Sequence, residues 1–237
     1  MGKNKLIVGN WKCNPGSIRK AEILLRVSDM KGVIVCPPFP FLDLAGSILE
    51  EAGLGAQDIF WGEGAYTGEV SASQLKGFGV KYCIIGHSER RAMGEMDDIV
   101  GKKVKAAISA GISPIVCVGE SATIRKRGPS AVKKFISTQV EVVKKASLGK
   151  GIIFAYEPIW AIGTGLSASP HDAEMMGSLI RSVFRSDKAS ILYGGSVNSM
   201  NVAGFINCDG VDGVLVGGAS ADPKEFKKLL SVIDGID

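Results

Sequence analysis

This chain of 237 residues is poor in several things that usually announce a function. Histidine occurs twice, as His87 and His171. The five cysteines (Cys13, Cys36, Cys83, Cys117 and Cys208) are odd in number and form no CxxC pair. That argues against a disulfide framework or a zinc site and for a reducing compartment. No apolar run is long enough to cross a bilayer. The opening residues Met1-Gly2-Lys3-Asn4-Lys5-Leu6 lack both the core of a signal peptide and the hydroxyl residue that myristoylation requires, so a cytoplasmic protein without a membrane partner is expected. Charge of one sign is also scarce, with a net of +4. Basic groups such as Arg125-Lys126-Arg127 and Lys144-Lys145 fall beside or on expected helices, which points to solvated faces and not to nucleic-acid binding. Gly149-Lys150 is followed by Gly151, so there is no P-loop. The turn after the first strand is Gly9-Asn10-Trp11-Lys12, not a GxGxxG turn.

What the chain does have is a repeated alternation. Short apolar runs occur at Leu6–Val8, Val33–Val35, Leu54–Ala56, Cys83–Ile85, Ile115–Cys117, Ile152–Phe154, Ile191–Leu192 and Val214–Val216. Most are uninterrupted, as in parallel strands buried on both faces. Helical stripes separate them. Ile18–Val27 forms the first. Met96–Ala110 stops at Gly111. Pro129 opens a helix with Val132, Ile136, Val140 and Val143 on one face. Ser169-Pro170 with Asp172 reads as a capping box, followed by Ala173, Met176, Leu179, Ile180, Val183 and Phe184. Asp222-Pro223 opens the last helix, with Phe226, Leu229, Leu230 and Ile233 inward. The glycine-rich stretch 62–77 reads mostly as loop. With no long linker and right-handed crossovers, this pattern predicts an α/β chain folded as a single (β/α)₈ barrel over residues 1–237.

Active sites of such barrels lie at the C-terminal ends of the strands. There the chain carries Asn10 and Lys12; His87, Ser88 and Glu89; Glu120; Glu157; Tyr193 to Ser196; and Gly217-Gly218. Taken alone, Lys12 reads as a surface lysine. His87 precedes Ser88-Glu89-Arg90-Arg91, which looks like a short helix start. A helix N-terminus disfavours imidazolium, so a neutral ring donating a hydrogen bond is physically reasonable. Glu157 ends a buried strand, where a carboxylate is costly without a task or a partner. It is a candidate general base, the alternative being a salt bridge to a neighbouring strand end. Gly194-Gly195-Ser196 and Gly217-Gly218 allow close backbone approach to a ligand. Following consecutive late strands, they favour phosphate binding over plain tight turns.

The motifs GNWKCN (9–14), IIGHSERR (84–91), VCVGE (116–120), AYEPIWAIGTG (155–165), YGGSVN (193–198) and DGVLVGGAS (212–220) together resemble the triosephosphate isomerase family over nearly the whole chain. The resemblance implies interconversion of dihydroxyacetone phosphate and glyceraldehyde 3-phosphate, a step of glycolysis and gluconeogenesis. Glu157 would move the proton between carbons. Neutral His87 would polarise the carbonyl. Lys12, held by Glu89, would supply positive charge, and Asn10 would orient His87 and the substrate oxygen. Backbone N–H groups of Gly163, Ser196, Gly217 and Gly218 would hold the phosphate. Ser88, Cys117 and Glu120 would support the site.

The resemblance also gives Pro158-Ile159-Trp160 the part of leading hinge of a lid, 161–164 that of its tip, and Gly165-Leu166-Ser167 that of trailing hinge, latched by Tyr193 and Ser196. The lid would keep water from the enediolate. A homodimer is implied, with Cys13, Thr67, Glu69 and Arg90 at its interface. Thr67 would approach the partner's Asn10 and Lys12, and Glu69 would meet the partner's Arg90. No metal or organic cofactor is needed for proton transfer alone. The chain departs from the family's usual pattern in three ways: it is somewhat short, Leu166 stands for a hinge lysine, and Asp58 stands for an asparagine. Other readings of the same barrel are a Schiff-base aldolase using Lys12, or a non-catalytic phosphate-binding scaffold.

Overall fold

The apolar runs form strands β1 (Leu6–Asn10), β2 (Val33–Cys36), β3 (Gly53–Ala56), β4 (Tyr82–Ile85), β5 (Ser113–Val118), β6 (Ile152–Tyr156), β7 (Ala189–Tyr193) and β8 (Gly213–Val216) in a computed structural model that describes residues 5–161, 168–186 and 188–235. Each strand pairs in parallel with the next, and β8 pairs with β1, closing the expected barrel. Helices α1 (Ile18–Ser28), α2 (Leu42–Ile48), α3 (Ala72–Gly77), α4 (Ser88–Ala92), α5 (Asp97–Ala110), α6 (Ala122–Lys126), α7 (Pro129–Ser147), α8 (Pro170–Phe184), α9 (Val202–Ile206) and α10 (Pro223–Asp234) fill the connections.

Successive side chains of a strand point to opposite faces, and here both faces are dry. Val8, Ile34, Cys36, Ile84, Ile115, Cys117, Ala155, Leu192 and Leu215 fill the barrel interior. Their chain neighbours Ile7, Val33, Val35, Cys83, Ile85, Val116, Phe154, Tyr156, Ile191, Tyr193, Val214 and Val216 pack outward under the helices. That double burial is why the strands read as continuous apolar runs.

The longer helices have the caps their sequences signal. The Ser169–Asp172 capping box opens α8, Gly111 in a left-handed conformation ends α5, and Asp222 accepts the Lys224 and Glu225 N–H groups at the start of α10. The stretch 62–77 is irregular as far as Ser71, as expected, but ends in α3, opened by a capping box between Ser71 and Gln74. The glycines and aromatics before Ser71 obscured that signal. The short helices α2, α6 and α9 span five to seven residues, too few to show a periodic stripe.

Two local devices brace the scaffold. Asp29, just beyond α1, accepts the N–H groups of Glu50, Glu51 and Ala52 at 3.1, 2.8 and 2.9 Å, tying α1 to the turn that enters β3. Partial burial works against its charge, but those three backbone donors hold the Asp29 carboxyl below its ordinary value of 3.8. At the opposite end, Gly119 follows β5 so closely against β6 that a Cβ there would lie 1.8 Å from the Glu157 carbonyl oxygen.

Asp29→Ala is expected to lower the melting temperature at neutral pH. A carboxylate whose folded value is depressed stabilises the fold above the unfolded value and ceases to do so as pH falls through the folded one. The melting temperatures of parent and variant should therefore converge in acid, which pH-resolved thermal melts would check. Gly119→Ala should cost about 3 kcal/mol or more, since backbone and not a flexible side chain must give way. It should also depress activity by displacing Glu157. Denaturant titration and an activity assay on the same sample test both effects.

Candidate active site

Strand parity carries the polar residues to one mouth. Val8 points inward, so Asn10 does too; Ala155 points inward, so Glu157 follows. Asn10, Lys12, His87, Glu89, Glu157, Ser196, Gly217 and Gly218, together with Gly194, Gly195 and Asn198, line a single cavity of about 380 Å³ at the C-terminal ends of the strands.

Glu157 and His87 are in direct contact. His87 is the N-cap of α4, and its Nδ1 accepts the Glu89 N–H at 3.2 Å. A ring whose Nδ1 accepts is neutral and carries its proton on Nε2. That Nε2 lies 3.0 Å from Glu157 Oε1, while Glu157 Oε2 accepts the Ser88 N–H at 2.8 Å. Both groups are nearly buried, at 7% and 2% exposure. Ser88 thus acts through its backbone. Cys117 lies beneath Glu157: burial pushes its thiol well above the ordinary range, and the neighbouring carboxylate adds to the effect.

Lys12 has φ of +53°, a left-handed conformation that costs a non-glycine residue energy and persists only where its surroundings impose it. Three groups do so. Asn10 Oδ1 accepts the Lys12 N–H at 3.0 Å, Gln57 Nε2 donates to the Lys12 carbonyl at 2.9 Å, and Glu89 Oε1 receives the Lys12 ammonium at 2.5 Å. Burial disfavours charge on Glu89, but the Lys12 ammonium outweighs it and holds the carboxyl below the usual range. The stem of Lys12 runs over Gly217, where a Cβ would come within 3.2 Å of Lys12 Cε. The Asn10 carboxamide oxygen is thus engaged by the Lys12 backbone.

Trp160 and Glu120 form a separate cluster. Glu120, fully buried, accepts on Oε1 from Trp160 Nε1 at 2.8 Å, Tyr156 Oη at 3.1 Å and Arg125 Nη1 at 3.1 Å. The Arg125 guanidinium stacks 4.3 Å from the Trp160 ring and reaches Asp172 at 2.6 Å. Trp160, expected in the leading hinge, is thus anchored by a buried carboxylate. Tyr193 is buried and stacks on Phe205 at 3.8 Å. Burial pushes its hydroxyl up to about 12, against the effect of the Ala168 N–H. Gly163, Thr164, Gly165, Leu166 and Ser167 lie outside the described residues.

Cys13, Thr67 and Glu69 are exposed. Within the protomer, Arg90 pairs with Asp58 at 2.8 Å and with Glu95 at 3.4 Å. Lys103, 2% exposed, binds the same two carboxylates, at 2.6 Å for Asp58. Glu95 in turn accepts the Gly86 N–H at 3.0 Å, steadying the turn before His87. Arg91 donates to the Gly86 carbonyl at 2.8 Å and the Cys117 carbonyl at 3.3 Å, joining the ends of β4 and β5.

Gln57, Glu95, Lys103 and Arg91 were not anticipated as parts of the site. Lys103 alone left a trace, since it interrupts the inward stripe of Val100, Val104 and Ala107 on α5.

The family model for triosephosphate isomerase matches residues 5–233. The chain is 44% identical over 238 residues to the triosephosphate isomerase of Azoarcus sp. (strain BH72), covering 94% of this chain and 96% of that one. It is 42% identical over 247 residues to that of Thermoanaerobacter pseudethanolicus (strain ATCC 33223 / 39E), covering 97% and 99%, and 40% identical over 247 residues to that of Dictyoglomus thermophilum (strain ATCC 35947 / DSM 3960 / H-6-12), covering 96% and 99%. With a closed parallel barrel, a carboxylate facing a neutral imidazole at its mouth and this similarity along nearly its full length, the chain belongs to the triosephosphate isomerase family.

Proposed function

We propose that this chain interconverts dihydroxyacetone phosphate and D-glyceraldehyde 3-phosphate through Glu157, His87, Lys12 and Asn10. As a member of its family it is an isomerase of triose phosphates, acting in glycolysis and gluconeogenesis. The single observation that carries the assignment of roles is the meeting of a carboxylate, a neutral imidazole N–H and an ammonium in one cavity.

The substrate phosphate sits against the backbone N–H groups of Ser196, Gly217 and Gly218, to which the expected contact of Gly163 would be added. Its carbonyl oxygen lies between His87 Nε2 and Lys12. Glu157 leaves the Ser88 N–H and takes a proton from the carbon beside the carbonyl. The electron pair moves to the oxygen, giving an enediolate that the Lys12 ammonium and the His87 N–H stabilise. Glu157 returns the proton to the adjacent carbon, while His87 exchanges protons between the oxygens. Asn10 and Glu89 keep Lys12 in its strained pose. The Glu89 ion pair suits a charge donor better than an amine nucleophile, which favours isomerase over Schiff-base chemistry. No metal or cofactor enters these steps. Glu120 and Trp160 anchor the segment after β6, and Tyr193 and Ser196 are its proposed latch.

We read residues 1–237 as one domain, since the barrel runs from Leu6 to Val216 and α10 packs back on α1. A homodimer is supported by exposed apolar side chains around Thr67 and Glu69: Trp61 at 37%, Tyr66 at 51% and Met93 at 73%. Arg90, paired inside its own protomer, would share its guanidinium with Glu69 of a second copy. A cytoplasmic location is supported by five free cysteines, three of them buried.

Glu157→Gln keeps the shape and the Ser88 contact but removes the base. Turnover in a coupled isomerase assay should fall by about 10²- to 10⁴-fold with little change in melting temperature. Turnover near the parent's would refute the role. Thr67→Arg should split the dimer and lower turnover. Sedimentation of the parent as an active monomer would sink the dimer.

A further inference from the structure

The loop after β7 carries two glycines and leaves the sheet at Gly194, whose N–H donates to the Tyr156 carbonyl at 2.8 Å; beyond it lie the N–H groups proposed to meet a phosphate. Ordering such a backbone on binding costs conformational entropy unless something orders it beforehand. One side chain outside the cavity wall does this. Asn201 Nδ2 donates to the Ser196 carbonyl at 2.9 Å, and Asn201 Oδ1 accepts the Asn198 N–H at 2.9 Å. Asn198 answers with its own Oδ1, which accepts the N–H groups of Met200 and Asn201 at 2.9 and 3.2 Å. Ser199 N–H donates to Glu225 Oε1 at 2.8 Å, fastening the far side of the loop to the first turn of α10.

The residues from Gly194 to Asn198 line the cavity, whereas Asn201 does not. Its carboxamide therefore draws the Ser196 carbonyl toward a group outside the cavity. In a planar trans peptide the carbonyl and the following N–H point in opposite directions, so that bond fixes the Ser196–Val197 unit, the peptide adjoining the one whose Ser196 N–H is proposed to face the phosphate. The Asn198 N–H contact fixes the next peptide.

We propose that Asn201 is a positioning residue for phosphate: it holds the loop after β7 in its binding conformation through the Ser196 carbonyl without touching the ligand. This rests on the reading that the cavity takes a phosphorylated triose. Because the phosphate is remote from the reacting carbons and present throughout, the effect falls on binding. Losing a hydrogen bond of this kind is worth about 1 kcal/mol, roughly a fivefold change in affinity.

The test measures KM, kcat and competitive inhibition by inorganic phosphate for the parent, Asn201→Ala and Asn201→Asp. Asn201→Ala removes both contacts. Asn201→Asp keeps the acceptor that Asn198 uses and exchanges only the donor, so it interrogates the Ser196 bond even if the alanine variant fails to fold. Expected are increases of about fivefold in both KM and the phosphate inhibition constant, with kcat within about twofold of the parent. A rise seen only with Asn201→Asp and abolished by high salt would be a charge effect and would overturn the proposal. So would unchanged constants in a folded Asn201→Ala, or a loss confined to kcat. A parent insensitive to inorganic phosphate would instead remove the phosphate reading beneath it.

Discussion

Parity in a closed parallel barrel is the constraint from which the catalytic mouth follows. Once Ala155 is an interior residue, Tyr156 must face the helices and Glu157 must face the axis. A slip of one residue in the pairing of β6 with β5 and β7 would bury the carboxylate among the outer helices. The same parity puts Gly194 and Gly217 at the interior mouths of β7 and β8. There the absent side chains leave room for Glu157 and Lys12: a Cβ on Gly194 would lie 3.1 Å from Glu157 Cγ, and one on Gly217 3.2 Å from Lys12 Cε. Carboxylate and empty space are thus products of one geometric rule.

The mouth is held without slack. Lys12 adopts a backbone conformation that a lysine does not favour, and Asn10, Gln57 and Glu89 hold its N–H, its carbonyl and its ammonium. Glu157 has both oxygens engaged. Beneath the rim, Arg90 and Lys103 face Asp58 and Glu95, two cations against two anions. Burying charge is expensive, and such a set is tolerable because it is balanced. Asp58, standing where the family resemblance led one to expect an asparagine, supplies the second negative charge and pairs with the Arg90 guanidinium inside the protomer. The network then reaches the Gly86 N–H through Glu95, so a charge buried between β3 and α5 helps set the turn that carries His87.

Legibility in the sequence followed the range of the interaction. Strands, capped helices and the fold class rest on periodicity and on caps such as Ser169–Asp172, which act over a few residues and are written locally. His87 and Glu157 stood out as candidates because each follows a strand whose end was itself legible, whereas Asn10 and Lys12 were given roles by the family resemblance. Helix α3 was hidden because its capping box sits behind a glycine-rich stretch. Gln57 and Glu95 were hidden because nothing beside them in the chain says that they reach the Lys12 and Gly86 backbones.

By itself the sequence determined the eightfold alternation, the parity of each strand and the residue types waiting at the strand ends, because steric and capping preferences operate between near neighbours. Only the tertiary structure decided that His87 donates toward Glu157, that Gln57 reaches the Lys12 carbonyl and that Asp58 neutralises Lys103 and Arg90. Lys103 and Asp58 are 45 residues apart in the chain, and closing the barrel is what brings such segments within hydrogen-bonding distance.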